Sequence, residues 1–558
     1  MPDDGRASGA VVLCLPLSIE GVCARRTFTV LADQLAEAGI LTLRFDYDGT
    51  GDSVGSDDDP SRVEAWIQGI HEAIAFVRRT GAPQVAVVGM RLGAMLAAVA
   101  MSEAAEELGA APVQGLVLWD PCVSGRAYLR AQRALHAFSL KDDDAHDGSV
   151  EAPGIVYSKE TVAALDTIQL ESLEGMLAER LLVLRREHEV QGRRALERFA
   201  AARPAEVGFA YGQEDLVDVK PDAAKVPLSS LTTVVTWLAE TLAGDAMAVS
   251  VPRRDEAVVG HRAGRPLVER ILSLGPRGLF GIVTESSPAL ADDDISGPTA
   301  VFLNAGTFDH TGPARQWVVL ARRWAAEGMR SLRCDLSGLG DSPARSGQPV
   351  DQWFPPEALE DVLDIAAAAS PAHPSNVVLV GLCSGGYHAI EGALMLGAAG
   401  VCGINPVIPH KPSELNSGRS ARTEKIDVRR QASAARKWWV RALPAHDQLG
   451  VLLERMPDPV LWVVNRVAVE QPPARVIGKL VEAGVRTTLV SGERENRALW
   501  GGEGWTRRRL ERSGLLRLEV LPGIDHELLQ RDARDQVADI VTEDTLGAYV
   551  RTRTDIVG

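Results

Sequence analysis

The sequence predicts an α/β protein made of two related units in tandem, each a mainly parallel sheet covered by helices. Three observations predict this. Short apolar runs alternate with helix-length segments along the chain, the pattern of parallel strands joined by crossover helices. The chain has 558 residues, beyond the roughly 250–300 at which a single core stops growing. Two motifs also recur in one order. Leu43-Arg44-Phe45-Asp46-Tyr47-Asp48-Gly49-Thr50-Gly51-Asp52-Ser53 matches Leu332-Arg333-Cys334-Asp335-Leu336-Ser337-Gly338-Leu339-Gly340-Asp341-Ser342. Gly89-Met90-Arg91-Leu92-Gly93 matches Gly381-Leu382-Cys383-Ser384-Gly385. Asp46 and Asp335 are 289 positions apart, and Arg91 and Cys383 are 292 apart. Nearly equal offsets mark an internal duplication.

The elements follow from local pattern. In the first half, apolar runs of strand length predict strands at 10–15, 40–45, 85–88, 115–119 and 181–184. Periodic segments predict helices at 28–38, 63–79 and 94–107, and a helix containing Trp237 that ends near Leu242. Cys23 falls in the loop before the first of these. The seam is expected near Val251-Pro252-Arg253-Arg254-Asp255, dividing the chain into 1–252 and 253–558. A strand hairpin over 267–285 opens the second unit. Strands are then expected at 299–303, 330–334, 377–380, 400–404, 460–464, 487–490 and 516–520, with helices at 315–327, 356–369 and 387–396. The runs Asp142-Asp143-Asp144 and Asp292-Asp293-Asp294 read as solvated loops.

Composition narrows the function classes. Hydrophobic content of 46% and charged content of 24% suit a soluble globular protein. No apolar run reaches the roughly 18 residues that cross a bilayer. The N-terminus lacks the basic start and apolar core of a signal peptide, so a cytoplasmic location is expected. A net charge of −16 disfavours nucleic acid and anionic membranes as partners. Six cysteines in this length make no disulfide framework. Cys14, Cys122, Cys334 and Cys402 lie in apolar contexts and read as buried thiols. No Cys-x-x-Cys or His-Glu-x-x-His spacing occurs, so neither a metal nor a cofactor is expected.

The most informative stretch is Gly381 to Gly385, which follows the apolar run 377–380 and precedes a helix. A Gly-x-nucleophile-x-Gly turn between strand and helix is too tight for side chains beside the nucleophile, and it projects that residue above the sheet. Cys383 stands at the centre, and thiolate attack on an acyl carbon gives a thioester. Arg91 stands at the centre of the first motif. A guanidinium keeps its proton and is no nucleophile.

On these residues, together with Trp119-Asp120-Pro121-Cys122-Val123-Ser124-Gly125-Arg126 and Asn304-Ala305-Gly306, the chain resembles the serine-aminopeptidase-like α/β-hydrolases, including the hydrolases associated with exosortase systems. The Cys-centred elbow is also similar to that of dienelactone hydrolases and polyhydroxyalkanoate synthases. The resemblance implies two tandem α/β-hydrolase-like units, the first degenerate and the second catalytic. It also implies a helical cap over the second unit, where 411–450 would be inserted.

The fold's order of nucleophile, acid and histidine then assigns roles. His526 follows the strand expected at 516–520 and is the base. The acid follows the strand before it, where Glu495 is favoured by its spacing after Gly492 and Glu493 is second. The oxyanion donors are the N–H of Ser384 and one from the loop after the first parallel strand, Gly306 or Thr307. His310 is a further residue that could face the site, whereas His388, on the elbow helix, reads as packed. In the first unit the loop at Gly212 matches either the acid loop or the histidine loop, and no histidine lies between Gly212 and the seam. Arg91 is expected to pair with an internal acid, since a buried arginine normally has a partner.

The expected function is acyl transfer through a Cys383 thioester. With water as acceptor the enzyme is a hydrolase or thioesterase on an ester, thioester or amide. With an amine or alcohol it is an acyltransferase using a carrier- or CoA-bound acyl group. The alternative class is a non-catalytic binding or scaffold protein. The basic, Trp-ended segment 428–439 reads as a cap helix packed through Trp438 and Trp439 with a solvated basic face, and as an alternative it would suit an acyl carrier protein or an acyl-CoA as partner.

Overall fold

In the computed structural model, the described residues are 1–140, 148–188, 192–286, 297–408, 457 and 472–557, the side chains of 138–140 and 549–557 excepted. The expected cap, the basic segment 428–439, the strand at 460–464 and both aspartate runs lie outside them. The chain divides into one unit of residues Met1–Asp255 with Leu529–Arg531, and a second of Glu256–Leu528 with Asp532–Gly558.

The first unit is built on β1 (Gly9–Cys14), α1 (Ser18–Glu37), β2 (Ile40–Arg44), α2 (Arg62–Arg79), β3 (Val85–Met90), α3 (Leu92–Leu108), β4 (Gly115–Trp119), α4 (Gly125–Leu140), β5 (Arg180–Arg185), β6 (Ala205–Phe209) and α5 (Leu228–Thr241). Its six strands run parallel in the order β2-β1-β3-β4-β5-β6. The continuous apolar run of β1 reflects burial on both faces. Ala10, Val12 and Cys14 pack into one core, and Val11 and Leu13 into the other.

The second unit contains β7 (Glu256–Arg262), β8 (Arg265–Leu274), β9 (Leu279–Ser286), β10 (Thr299–Phe302), α6 (Gln316–Ala326), β11 (Ser331–Cys334), α7 (Ala358–Ala369), β12 (Val377–Leu382), α8 (Ser384–Leu396), β13 (Gly400–Ile404), α9 (Pro473–Glu482), β14 (Arg486–Gly492), α10 (Glu493–Trp500), β15 (Leu516–Leu521) and α11 (Arg531–Val557). The sheet order is β7-β8-β9-β11-β10-β12-β13-β14-β15. The β7-β8, β8-β9 and β9-β11 pairs are antiparallel and the remaining pairs are parallel. The hairpin expected over 267–285 is present and gains an outer strand, β7. Elements β12, β13 and α8 place the second elbow at the centre of this sheet.

Several elements differ from the sequence expectation. Helix α1 starts ten residues before the expected 28, so Cys23 lies within it and is buried, not in a preceding loop. Gly21 interrupts the apolar pattern there, but a Cβ at this position would overlap the Pro16 carbonyl, so the close approach of the chain selects glycine. Strand β6 has no apolar run because it is an edge strand with Val207 half exposed. Helices α4, α9, α10 and α11 were not expected.

The duplicated aspartate motif has the same structure in both copies. Asp46 Oδ2 accepts from the Asp52 N–H at 3.1 Å, and its carbonyl accepts from the Ser53 hydroxyl at 2.7 Å. Asp335 Oδ2 accepts from the Asp341 N–H at 3.0 Å, and its carbonyl accepts from the Ser342 hydroxyl at 2.6 Å. Gly51 and Gly340 have φ of +48° and +51°, and a Cβ on either would collide with the aspartate it follows. The motif closes the loop after a strand.

The elbow glycines are held by close approach as well. A Cβ on Gly385 would overlap the Asn304 carbonyl. Gly385→Ala should therefore destabilise the second unit by about 1–3 kcal/mol, the usual cost of overpacking. Denaturant unfolding of wild type and variant measures this, and equal midpoints would contradict it.

Candidate active site

Both elbows hold a non-glycine residue in the same sparsely populated backbone region. Cys383 has φ +56°, ψ −120°, and Arg91 has φ +53°, ψ −121°. Such a conformation costs about 1–3 kcal/mol and persists only where surrounding contacts impose it. Those contacts match. The Cys383 N–H donates to the Ile404 carbonyl at 3.0 Å and the Arg91 N–H to the Trp119 carbonyl at 3.1 Å. The Val407 N–H returns to the Cys383 carbonyl at 3.1 Å and the Cys122 N–H to the Arg91 carbonyl at 3.2 Å.

Cys383 is partly exposed, whereas the other five cysteines are buried. Burial pushes the Cys14 and Cys122 thiols up to about 12, so both stay protonated and unreactive at neutral pH.

His526 lies in the loop after β15, beside the Cys383 sulfur, and hydrogen-bonds Glu495. Its Nδ1 is 3.0 Å from Glu495 Oε1. Burial by itself would lower the imidazole pKa. The Cys383 sulfur and the Glu495 carboxylate reverse this and hold it well above the ordinary value. Burial likewise works to raise the Glu495 pKa, but the hydrogen bond and charge of His526 lower it. Glu495 reaches the ring from the first turn of α10. Its Oε2 lies 2.7 Å from where a Cβ of residue 492 would be, so Gly492 leaves room for the carboxylate. Glu493, the second candidate, points to solvent from the start of the same helix.

The Ser384 N–H is at the start of α8, where a helix leaves its backbone donors without internal partners. The Gly306 N–H donates to the Ser384 hydroxyl oxygen at 2.9 Å, so this donor is already engaged. Thr307 is half-buried beside it.

His310 is paired with the aspartate motif. It is buried, with Nδ1 2.8 Å from Asp335 Oδ2. Asp335 Oδ1 also accepts from Asn304 Nδ2 at 2.7 Å, which ties the aspartate loop to the strand end preceding Gly306. Single donor atoms of His310, Asp335 and Asp341 lie within 4.8 Å of one another. The hydrogen bonds from His310 and the Asp341 N–H to Asp335 account for that cluster without an ion. His388 is packed, with Nε2 3.1 Å from the Trp353 carbonyl and a pKa lowered by burial to about 4. Asn405 was outside the expected set, yet its side chain reaches the loops that carry Glu495 and His526.

The first unit fills the same positions with other chemistry. Arg91 Nε is 3.1 Å from Glu20 Oε1, and Nη1 is 3.4 Å from Asp120 Oδ2. Arg186, directly after β5, is 2.7 Å from the same Asp120 oxygen. Gly212 follows β6, the last strand of its sheet, so its loop corresponds to that of His526.

Residues 23–142 match the family described as serine aminopeptidase, S33, and residues 300–540 match the alpha/beta hydrolase family. Both units are α/β-hydrolase folds. The matches support an enzyme of the hydrolase class. No curated protein matches the chain. Among solved structures it is similar to Est1E from Butyrivibrio proteoclasticus with bound ferulic acid, at 15% identity and a TM-score of 0.34, covering 43% of this chain and 93% of that one. It is also similar to a dienelactone hydrolase from Anabaena variabilis, at 12% identity and a TM-score of 0.28, covering 51% and 98%. A third is a serine hydrolase without a lid from Xanthomonas campestris, at 14% identity and a TM-score of 0.26, covering 50% and 92%. Likenesses at this level say nothing about substrate. Among the described residues, no helix is long and apolar enough to cross a membrane.

Two predictions follow from these contacts. The raised His526 pKa gives stability that is full below the unfolded value of about 6.5 and is lost as pH rises through the folded value. The lowered Glu495 pKa gives stability present above about 4.3 and lost as pH falls through the folded value. Glu495→Gln should therefore reduce unfolding free energy most between these limits and least at the extremes, as read from denaturation curves against pH. In the first unit, Arg91→Ala strands the buried Glu20 carboxylate, so it should cost about 3 kcal/mol or more. Alkylation of Cys383 in that variant should keep its wild-type rate.

Proposed function

We propose that the second unit is an acyl-transfer enzyme that works through a Cys383 thioester, as a hydrolase or thioesterase on an ester, thioester or amide. The single observation that supports this most is the Glu495–His526 hydrogen bond beside the Cys383 sulfur, which stands on a strained elbow. Glu495 engages Nδ1 of His526, which leaves Nε2 for the sulfur and fixes the tautomer. His526 takes the Cys383 proton, and the thiolate adds to the substrate carbonyl. The resulting oxyanion is met by the Ser384 N–H and by that of Thr307, since the Gly306 N–H is engaged by the Ser384 hydroxyl. Collapse breaks the bond to the leaving group, which departs with the proton from His526. Water then gives a proton to His526 and attacks the thioester, and the acid is released as Cys383 regains its proton.

The acyltransferase reading shares this intermediate and differs in the acceptor, an amine or alcohol in place of water. A carrier- or CoA-bound acyl donor suits it, since both present a thioester to the thiolate. The scaffold reading requires that no acyl-enzyme form.

The test is the mass of the protein after incubation with acyl thioesters, esters and amides. An adduct on Cys383 that decays in water supports the hydrolase, and one that decays only with an added amine or alcohol supports the transferase. Cys383→Ala should abolish turnover in a folded protein, while Cys383→Ser should keep a small residue of it, because the hydroxyl is harder to deprotonate. Wild-type activity in Cys383→Ala would sink the mechanism. His526→Ala should slow acylation strongly near neutral pH and much less at alkaline pH, where hydroxide can take the proton in place of the imidazole.

A further inference from the structure

We propose that Asn405 is a positioning residue that holds the His526 imidazole against the Cys383 sulfur, an inference that rests on the catalytic reading of those two residues. Asn405 directly follows β13, is fully buried, and has φ +41°, a region asparagine enters more readily than most side chains. Its amide uses both polar ends. Nδ2 donates to the His526 carbonyl at 3.0 Å and to the Asp525 carbonyl at 3.3 Å. Oδ1 accepts from the Gly492 N–H at 2.8 Å, at the root of the helix that carries Glu495. The Asn405 N–H donates to the Val490 carbonyl at 2.8 Å. On either side of it, the Ile404 carbonyl and the Val407 N–H make the two bonds that hold the elbow. One four-residue segment thus joins the nucleophile turn, the acid loop and the histidine loop.

The first unit shows what a different side chain does at this place. Asp120 follows β4, has φ +47°, and its N–H donates to the Leu184 carbonyl at 2.7 Å, as Asn405 does to Val490. Its carboxylate accepts from Arg91 and Arg186. A carboxylate has no hydrogen to donate, so it cannot bind two peptide carbonyls. The amide at 405 fits a loop presented through its carbonyls, and the carboxylate at 120 fits two guanidiniums. Placing an aspartate at 405 would keep the acceptor for Gly492 and set a negative charge against the carbonyls of Asp525 and His526. That loop would then shift, and the imidazole with it.

The test uses the full chain with Asn405→Asp, which keeps the shape, and Asn405→Gly, whose backbone suits a positive φ and so protects folding. Thermal unfolding establishes that each is folded. The readout is the rate of Cys383 alkylation by iodoacetamide against pH, with His526→Ala alongside. A variant that only loosened the protein would scale the whole profile. Loss of the His526 contact changes its shape. The expected result is a rate about 10- to 100-fold below wild type near pH 6, the scale of loss for a displaced catalytic group. The variants should converge on wild type at alkaline pH, where hydroxide can take the proton in place of the imidazole, and follow the His526→Ala curve. A wild-type profile in either folded variant overturns the proposal. If His526→Ala itself superimposes on wild type, the catalytic reading falls and this proposal falls with it.

Discussion

Everything at the candidate site depends on one backbone constraint, the strained residue between a parallel strand and the helix that follows it. At Cys383 the chain turns so sharply that its neighbours must be glycines, because a Cβ on Gly381 would run into Gly385, and one on Gly385 into the Asn304 carbonyl. The turn lifts the sulfur out of the sheet while the N–H of Ser384 comes to the start of α8. The strain is held by bonds from the next strand end, at Ile404 and Val407, so the nucleophile's position is a property of the sheet.

The duplication separates this scaffold from the chemistry it carries. The first unit keeps the same strained angles, the same pair of bonds to the neighbouring strand end and the same aspartate-closed loop. What differs is side-chain charge. Where the second unit has a thiol, an amide and a carboxylate–imidazole pair, the first has Arg91, Asp120 and Arg186 neutralising one another and Glu20. At these positions the first unit therefore has buried charges that pair with one another in place of a nucleophile and its base.

Asp335 shows how the repeated motif is used twice over. In both units the aspartate closes its own loop, but in the second it also binds Asn304 and His310. That ties the turn bearing Gly306 to the adjacent strand end. The histidine that looked available for chemistry is held inside this structural set.

The sequence by itself determined the fold, the duplication and most of the described strands of the second sheet, because each rests on local pattern. Apolar runs mark strands buried on both faces, and the glycines of Gly381 to Gly385 mark a turn no other residue fits. It was silent wherever tertiary contact overrides local pattern. The early turns of α1 are helical because Gly21 packs on Pro16 and Glu20 meets Arg91, contacts that no window of sequence contains. Strand β6 is legible only through its partner β5. Spacing left Glu495 and Glu493 both open, and the direction of the first turn of α10 brings only Glu495 to His526. Asn405 had no signature at all, since its role comes from loops 87 and 121 residues further along the chain. Such meeting points are set by strand order in the sheet, and strand order is a property of the folded chain.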